Sequence, residues 1–259
     1  MAGWGTMGEV PLTFVHPAAV VPLLRRRGLV PAALVIGAMT PDFEYFLRLN
    51  TVSKVTHTLP GLAYGCVPLG LLALWAWQAV IRDPFVAATP TVVRDRVGHL
   101  SSSGVPHTVW MWLVAGLSVL IGAATHLLWD SFTHPGYLPA QWLGLTASSP
   151  VLGLPWTSVL QRTSDLAGVI VLVVVIARLP RRPVQGSHHP WRFWLVTALT
   201  TLALVAGRTL LQPDWLRLST AVATFIAGGL LGLFAAASCE RRRRRSSEPA
   251  AITATDAGF

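Results

Sequence analysis

Apolar residues fill five long stretches of this chain, and polar or charged residues collect at their ends. The stretches are residues 59–81, 109–129, 165–180, 193–211 and 218–239. A helix of about 20 apolar residues crosses the hydrocarbon core of a bilayer, so each is long enough, or nearly so, to span it. The third is the shortest, but its core, Val169 through Ile176, is an unbroken run of Val, Ile and Leu. Two weaker apolar segments, 11–24 and 29–41, flank Arg25-Arg26-Arg27-Gly28. Each is too short to span alone. They form a helical hairpin, two partial spans or a pair of helices lying in the interface. The pattern predicts an all-α, polytopic transmembrane helical protein with about five full spans plus this N-terminal hairpin or interfacial pair. It divides the chain into a loose N-terminus (1–9), a membrane-embedded domain (10–180) and a connector (181–192). Two further helices (193–239) and a tail (240–259), basic and then disordered, follow.

Composition agrees. Of 259 residues, 53% are hydrophobic and only 12% are charged. A soluble domain carries roughly 25% charged residues, so this chain lacks the polar groups to cover a soluble surface. The net charge of +9 would suggest nucleic acid in a soluble protein. Here the arginines sit in short blocks beside apolar segments, and no nucleic-acid partner is expected. Arg82, Arg94 and Arg96 follow the first span. Arg178, Arg181, Arg182 and Arg192 lie between the third and fourth, and Arg241 to Arg245 follow the fifth. The opposite loops hold only Arg162 and Arg217. The positive-inside rule places loop 82–108, the connector and the C-terminus in the cytoplasm, as expected of a multi-pass cell-membrane protein. The pentarginine Arg241, Arg242, Arg243, Arg244 and Arg245 is expected to anchor to anionic lipid. Cys66 and Cys239 both fall in apolar runs and read as small core residues, with no Cys-x-x-Cys pair for a zinc ribbon or redox dithiol.

The candidate chemistry lies where the second span ends. His126, Asp130 and His134 recur every four residues, a spacing that drifts only about 40° per step and rises about 6 Å on an α-helix. Ionisable groups at the edge of a span are costly unless paired, hydrated or ion-bound. Upstream stand His16 before Pro17, Asp42 and Glu44 after Pro41, and His57 before Thr58. His57, His126 and Asp130 fall at one side of the membrane, extracytoplasmic by the charge pattern, and a hairpin over 11–41 would return His16 and Asp42 to it, so the topology allows these groups to meet. Other roles are open for each. Asp42 can cap the helix that follows it, His16 can cap a helix start, and His126 with Asp130 can simply stabilise a helix end. His134, before Pro135-Gly136, reads as a helix C-terminal histidine, and Asp165 as the N-cap of the third span. Imidazole and carboxylate without cysteine suit a catalytic divalent metal, zinc first and manganese or iron next. Such an ion lowers the pKa of water and stabilises charge on a carbonyl or phosphoryl oxygen. Asp42, Glu44 and Asp130 are the candidate catalytic bases.

The ordered set His16-Pro17, Pro41-Asp42, His57-Thr58 and Thr125-His126-x-x-x-Asp130-x-x-Thr133 resembles the bacterial membrane-bound metal-dependent hydrolases distantly similar to zinc-dependent phospholipase C. The stretch from Val10 through Tyr45 is more similar still to an uncharacterised bacterial membrane family, with the resemblance ending near residue 175. The resemblance implies a helical fold and a metal site made of His16, Asp42, His57, His126 and Asp130. The expected function is hydrolysis of an ester or phosphoester, from a small molecule or a lipid, at the extracytoplasmic face. Two rival readings use the same residues: a transporter or metal-permeation protein, whose ligands would spread through the bilayer depth, and a non-catalytic structural membrane protein.

Overall fold

A computed structural model describes residues 12–98, 104–150, 152–212 and 218–247. The segment expected to be a loose N-terminus (1–9), Arg217 and the tail after Ser247 lie outside these residues. The fold is α-helical, and among the described residues no strand forms beyond an isolated bridge between Ser148 and Pro155. Five helices are long and apolar enough to cross a bilayer. In chain order the helices are α1 (Pro17–Val20), α2 (Pro31–Gly37), α3 (Phe43–Arg48), α4 (Leu59–Ala88), α5 (Thr91–Val97) and α6 (Val109–Thr133). They continue with α7 (Leu138–Trp142), α8 (Trp156–Arg178), α9 (Pro190–Leu211) and α10 (Leu218–Ser247).

Local chemistry sets these boundaries. Thr58 caps α4 by accepting from the Gly61 amide at 3.0 Å, and Thr108 caps α6 by accepting from Met111 at 3.2 Å. Proline opens α1, α2 and α9, where its missing N–H removes no helical bond. The N-terminal apolar pair becomes the short helices α1 and α2, because Pro22 and the Arg25–Gly28 block break the run. Four spans are longer than hydropathy suggests. Helix α4 runs on to Ala88, α6 to Thr133 and α10 to Ser247, so Arg241 to Arg245 are helical. Helix α8 starts at Trp156, after Pro155, which places Asp165 within the helix rather than at its N-cap. Cys66 is buried as expected, whereas Cys239 faces outward.

The core forms around one face of α6. Ala115, Val119, Gly122, Ala123, His126, Leu127 and Asp130 are buried there, at the spacing of a single helical stripe. Helix α2 lies across this stripe with Ala33, Leu34 and Gly37 turned inward. A Cβ at Gly122 would overlap the Leu34 carbonyl oxygen and the Ala38 amide, and one at Gly37 would overlap Val119 backbone. The two backbones are therefore in direct contact, a packing that only small residues permit. Helices α9 and α10 form a second hairpin, again closely packed, with Gly228 and Gly232 against Thr201 and Thr197. Arg208 of α9 donates to the Leu49 carbonyl at the left-handed end of α3, and to Thr224 at 2.9 Å. This arginine ties the last two spans to the segment that carries Asp42 and Glu44. Large apolar side chains such as Leu72, Leu113, Val173, Leu202 and Phe225 face outward, as they would toward lipid.

The contact at Gly122 gives a direct prediction. Gly122→Ala inserts a methyl group between two touching backbones and should destabilise the fold by about 1–3 kcal/mol. At Gly116 the nearest side-chain atom to a new Cβ is Val67 Cγ1 at 3.6 Å. Gly116→Ala should be neutral or stabilise by up to about 1 kcal/mol through helix propensity. Thermal unfolding in detergent compares the two, and equal melting temperatures would contradict the packing account.

Candidate metal centre

Four elements converge at the end of α6. His16 stands at the start of α1, Asp42 ends the turn Thr40–Asp42, His57 precedes α4, and His126 and Asp130 occupy successive turns of α6. His126 is 1% exposed, Asp42 2%, Asp130 5% and His16 6%. The five predicted ligands thus come together, drawn from segments up to 114 residues apart. His57 Nε2 lies 3.4 Å from Asp42 Oδ1 and 3.6 Å from Asp130 Oδ2. His126 Nε2 lies 3.5 Å from Asp42 Oδ1 and 3.2 Å from Asp130 Oδ2. These are four of the six edges of an N₂O₂ cage, and the ligand atoms of Asp42, His57 and His126, like those of His16, His126 and Asp130, lie within 4.8 Å of one another. Tetrahedral zinc with bonds of about 2.0–2.1 Å sets its ligand atoms about 3.3–3.4 Å apart.

Hydrogen bonds orient the cage. His126 Nδ1 donates to the Ala38 carbonyl at 2.8 Å, a bond that the Gly37–Gly122 contact brings into reach. With Nδ1 occupied, Nε2 points inward. There it is buried and, among the described residues, satisfies no hydrogen-bond criterion, with Asp130 Oδ2 and Asp42 Oδ1 at 3.2 and 3.5 Å. One nitrogen facing two carboxylate oxygens at this range is an arrangement that an ion can share. The charge fits as well, since two aspartates with neutral imidazoles carry −2, which one divalent cation balances. A second shell of this kind is the usual support of a metal-bound histidine.

Asp42 is divided in the same way. Oδ2 accepts from the Thr13 hydroxyl at 2.5 Å, and Oδ1 is left to His57 and His126. It sits at the helix-start position before α3 but caps nothing. Burial pushes its carboxyl up, yet His126, His57 and His16 outweigh that and hold it well below the usual carboxylate range. Asp130 faces two ways, with Oδ2 toward His126 and His57. Its Oδ1 lies 3.4 Å from His16 Nε2 and 3.5 Å from His134 Nδ1. The His16 ring stacks on that of His126 at 3.8 Å, and its Nδ1 is buried with no hydrogen-bond partner among the described residues. His134, read from the sequence as a helix-end residue, does follow the last residue of α6 but also contacts Asp130.

Glu44 stands apart from the cage. Its carboxylate accepts from the amides of Lys54, Val55 and Thr56, each at 3.0 Å, from Ser53 Oγ at 2.8 Å and from Arg48 Nε at 2.7 Å. It therefore folds the loop that ends in His57. Burial raises its carboxyl, but the Thr56, Val55 and Lys54 amides and the Ser53 hydroxyl more than offset this and keep it ionised. The Thr56 hydroxyl lies 2.6 Å from the Pro41 carbonyl and fastens the same loop to the Asp42 segment. Tyr45, one residue on, stacks over His57 at 5.1 Å with its hydroxyl 3.4 Å from Nε2. Burial and the Asp42 and Asp130 carboxylates push that phenol up, so it stays a hydrogen-bond donor. Sequence reasoning passed over Thr13, Tyr45, Ser53 and Thr56. The only signal for Thr13 was a polar residue in an apolar run one turn before His16.

Glu44→Gln should therefore cost about 2–3 kcal/mol, since an amide turns N–H groups toward N–H donors. The folded carboxyl is depressed, so its contribution is present above the unfolded glutamate pKa of about 4.3 and fades as pH falls toward the folded value. The gap in melting temperature between wild type and variant should be wide at pH 7 and narrow below about pH 4. A gap that does not change with pH would contradict this role.

Similarity extends further along the chain than the motifs suggest. The family described as a domain of unknown function, DUF4184, matches residues 10–238. No curated protein and no solved structure matches the chain. The match runs past residue 175, where the sequence resemblance was expected to end, and takes in α9 and most of α10. That agrees with the Arg208 link between α9 and α3. The match names neither a hydrolase nor a phospholipase. With more than half of its length matched, the chain belongs to the DUF4184 family.

Proposed function

We propose that this protein is a membrane-bound, metal-dependent hydrolase of an ester or phosphoester, with its site at the extracytoplasmic face. The observation that carries this reading is the cage itself: four edges of 3.2–3.6 Å around His57, His126, Asp42 and Asp130, with the inward Nε2 of His126 buried and unbonded. Zinc is the first choice, because imidazole nitrogen and carboxylate oxygen without cysteine suit it, with manganese or iron as alternatives. A divalent ion there supplies Lewis acidity and lowers the pKa of a coordinated water.

The chain's own residues supply the rest. His57 Nε2, His126 Nε2, Asp42 Oδ1 and Asp130 Oδ2 would hold the ion. Asp130 Oδ1 faces His16 Nε2 at 3.4 Å and His134 Nδ1 at 3.5 Å, and is the carboxylate oxygen that would take a proton. His16 Nε2 lies beside it and can carry that proton onward to the leaving group. Tyr45, held protonated, donates to the oxygen on which charge develops. Glu44 is a positioning residue here, because the loop and Arg48 occupy its oxygens. His134 and His57 are the more open edges of the site. Beyond His134, Leu138, Trp142 and Leu143 face outward on and after α7, which favours a lipid or another amphiphile as substrate. On the opposite face, Arg241 to Arg245 anchor α10 to anionic lipid, and the C-terminus is cytoplasmic.

Elemental analysis of detergent-purified protein tests the reading. Wild type should carry about one or more zinc or manganese ions per chain, and the His126→Ala, Asp130→Ala double variant none. Hydrolysis of phosphoester and lipid ester substrates should disappear with the metal. Tyr45→Phe should keep the metal and lose about 10²-fold in kcat. Metal at background in wild type after reloading would leave these residues as ion pairs of a structural protein.

A further inference from the structure

The opposite face holds a second polar site, unconnected to the cage. A cavity of about 680 Å³ opens between the far end of α4, the connector before α9, and the ends of α9 and α10. Four arginines line it: Arg82, Arg192, Arg243 and Arg244. Only two acids join them, Asp83 and Glu240. Both acids have cationic partners. Asp83 lies 3.6 Å from Arg82 and 3.7 Å from Arg241, and Glu240 lies 3.6 Å from Arg244. Arg192 packs over the Trp191 ring at 5.4 Å, and among the described residues neither it nor Arg243 pairs with a carboxylate. The cavity thus carries an excess of two positive charges, supplied by the residues that lack an acid.

Its walls are tied together. The Ser187 amide donates to the Ala87 carbonyl at 2.8 Å and the Arg182 amide to the Asp95 carbonyl at 2.7 Å. The Val184 amide donates to Asp95 Oδ1 at 3.3 Å. Gly186 packs against the Arg94 guanidinium, which would have to move aside for any larger residue. Arg241 Nε donates to the Val80 carbonyl at 2.9 Å and fixes α10 beside α4. Three segments remote in sequence are held around one basic space at the end of the spans, the depth of the lipid headgroups.

We infer that this cavity binds a phosphate group, with Arg192 and Arg243 as its principal contacts. Guanidinium forks match phosphate oxygens in pairs, and among the described residues neither arginine has a competing acid. The volume leaves ample room for a phospholipid headgroup or a small phosphate ester. Its phosphate comes either from an anionic phospholipid of the surrounding leaflet or from a soluble phosphate ester, and one set of experiments separates the two.

Full-length protein is mixed with equal amounts of phosphatidylglycerol and phosphatidylcholine and examined by native mass spectrometry. In parallel, inorganic phosphate and glycerol 3-phosphate are titrated against it by calorimetry. For a lipid source, wild type retains phosphatidylglycerol over phosphatidylcholine by about fivefold, the scale of one charge-assisted contact. That preference is lost in Arg192→Gln, Arg243→Gln and kept in Arg178→Gln, Arg181→Gln, which removes the same charge from the same face outside the cavity. For a soluble source, no lipid preference appears, but glycerol 3-phosphate binds wild type and not the cavity variant. Ser187→Trp, which fills the space and leaves every charge, should abolish either signal and guards against a glutamine variant that fails to fold. Neither signal in wild type, equal loss in both glutamine variants, or full retention in Ser187→Trp would overturn the site.

Discussion

The backbones of α2 and α6 touch at Gly37 and Gly122, and the polar centre depends on that contact. It carries the Ala38 carbonyl to within 2.8 Å of His126 Nδ1 and so turns Nε2 toward the two aspartates. A helix pair spaced by ordinary side chains would leave that carbonyl out of reach. The histidine could then rotate, and the cage edges would not be fixed. A packing decision in the apolar part of the molecule thereby becomes the orientation of a buried histidine one helical turn away.

The cage also sets an electrostatic problem that the surrounding structure answers. Two carboxylates and three imidazoles are gathered there with little exposure, which is costly unless the charges are paired, and among the described residues His16 Nδ1 and His126 Nε2 still lack a hydrogen-bond partner. The fold divides the work between atoms of the same group. Thr13 takes one oxygen of Asp42, and His16 and His134 attend one oxygen of Asp130. The inward oxygens and the inward nitrogens of His57 and His126 remain together. Glu44 applies the same logic one layer out, where a single carboxylate gathers three consecutive amides and so sets the path of the chain into His57.

What the sequence disclosed follows from the range of each interaction. His126 and Asp130 were legible because an i,i+4 spacing fixes a shared helix face without any knowledge of the fold. His16, Asp42 and His57 were legible as a set because alternating spans return their ends to one side. Thr13 was not, since its bond to Asp42 closes 29 residues and leaves no local pattern. The sequence made Glu44 a candidate base, but hydrogen bonds to a loop ten residues on give it another task. The start of α8 was placed late because Gln161, Arg162 and Asp165 lower the hydropathy of its first turns. The helix tolerates them, with Gln161 turned inward. The last two spans carried no motif, and their place in the family unit became visible only through Arg208 and the second hairpin.

The most direct test of the central claim is X-ray absorption at the zinc edge on the purified, metal-loaded protein. The account predicts a low coordination number, with two imidazole nitrogens and carboxylate oxygens at about 2.0–2.1 Å and no sulfur. A hydrated ion without imidazole scattering, or a shell that contains sulfur near 2.3 Å, would place any bound metal elsewhere and contradict the cage of His57, His126, Asp42 and Asp130.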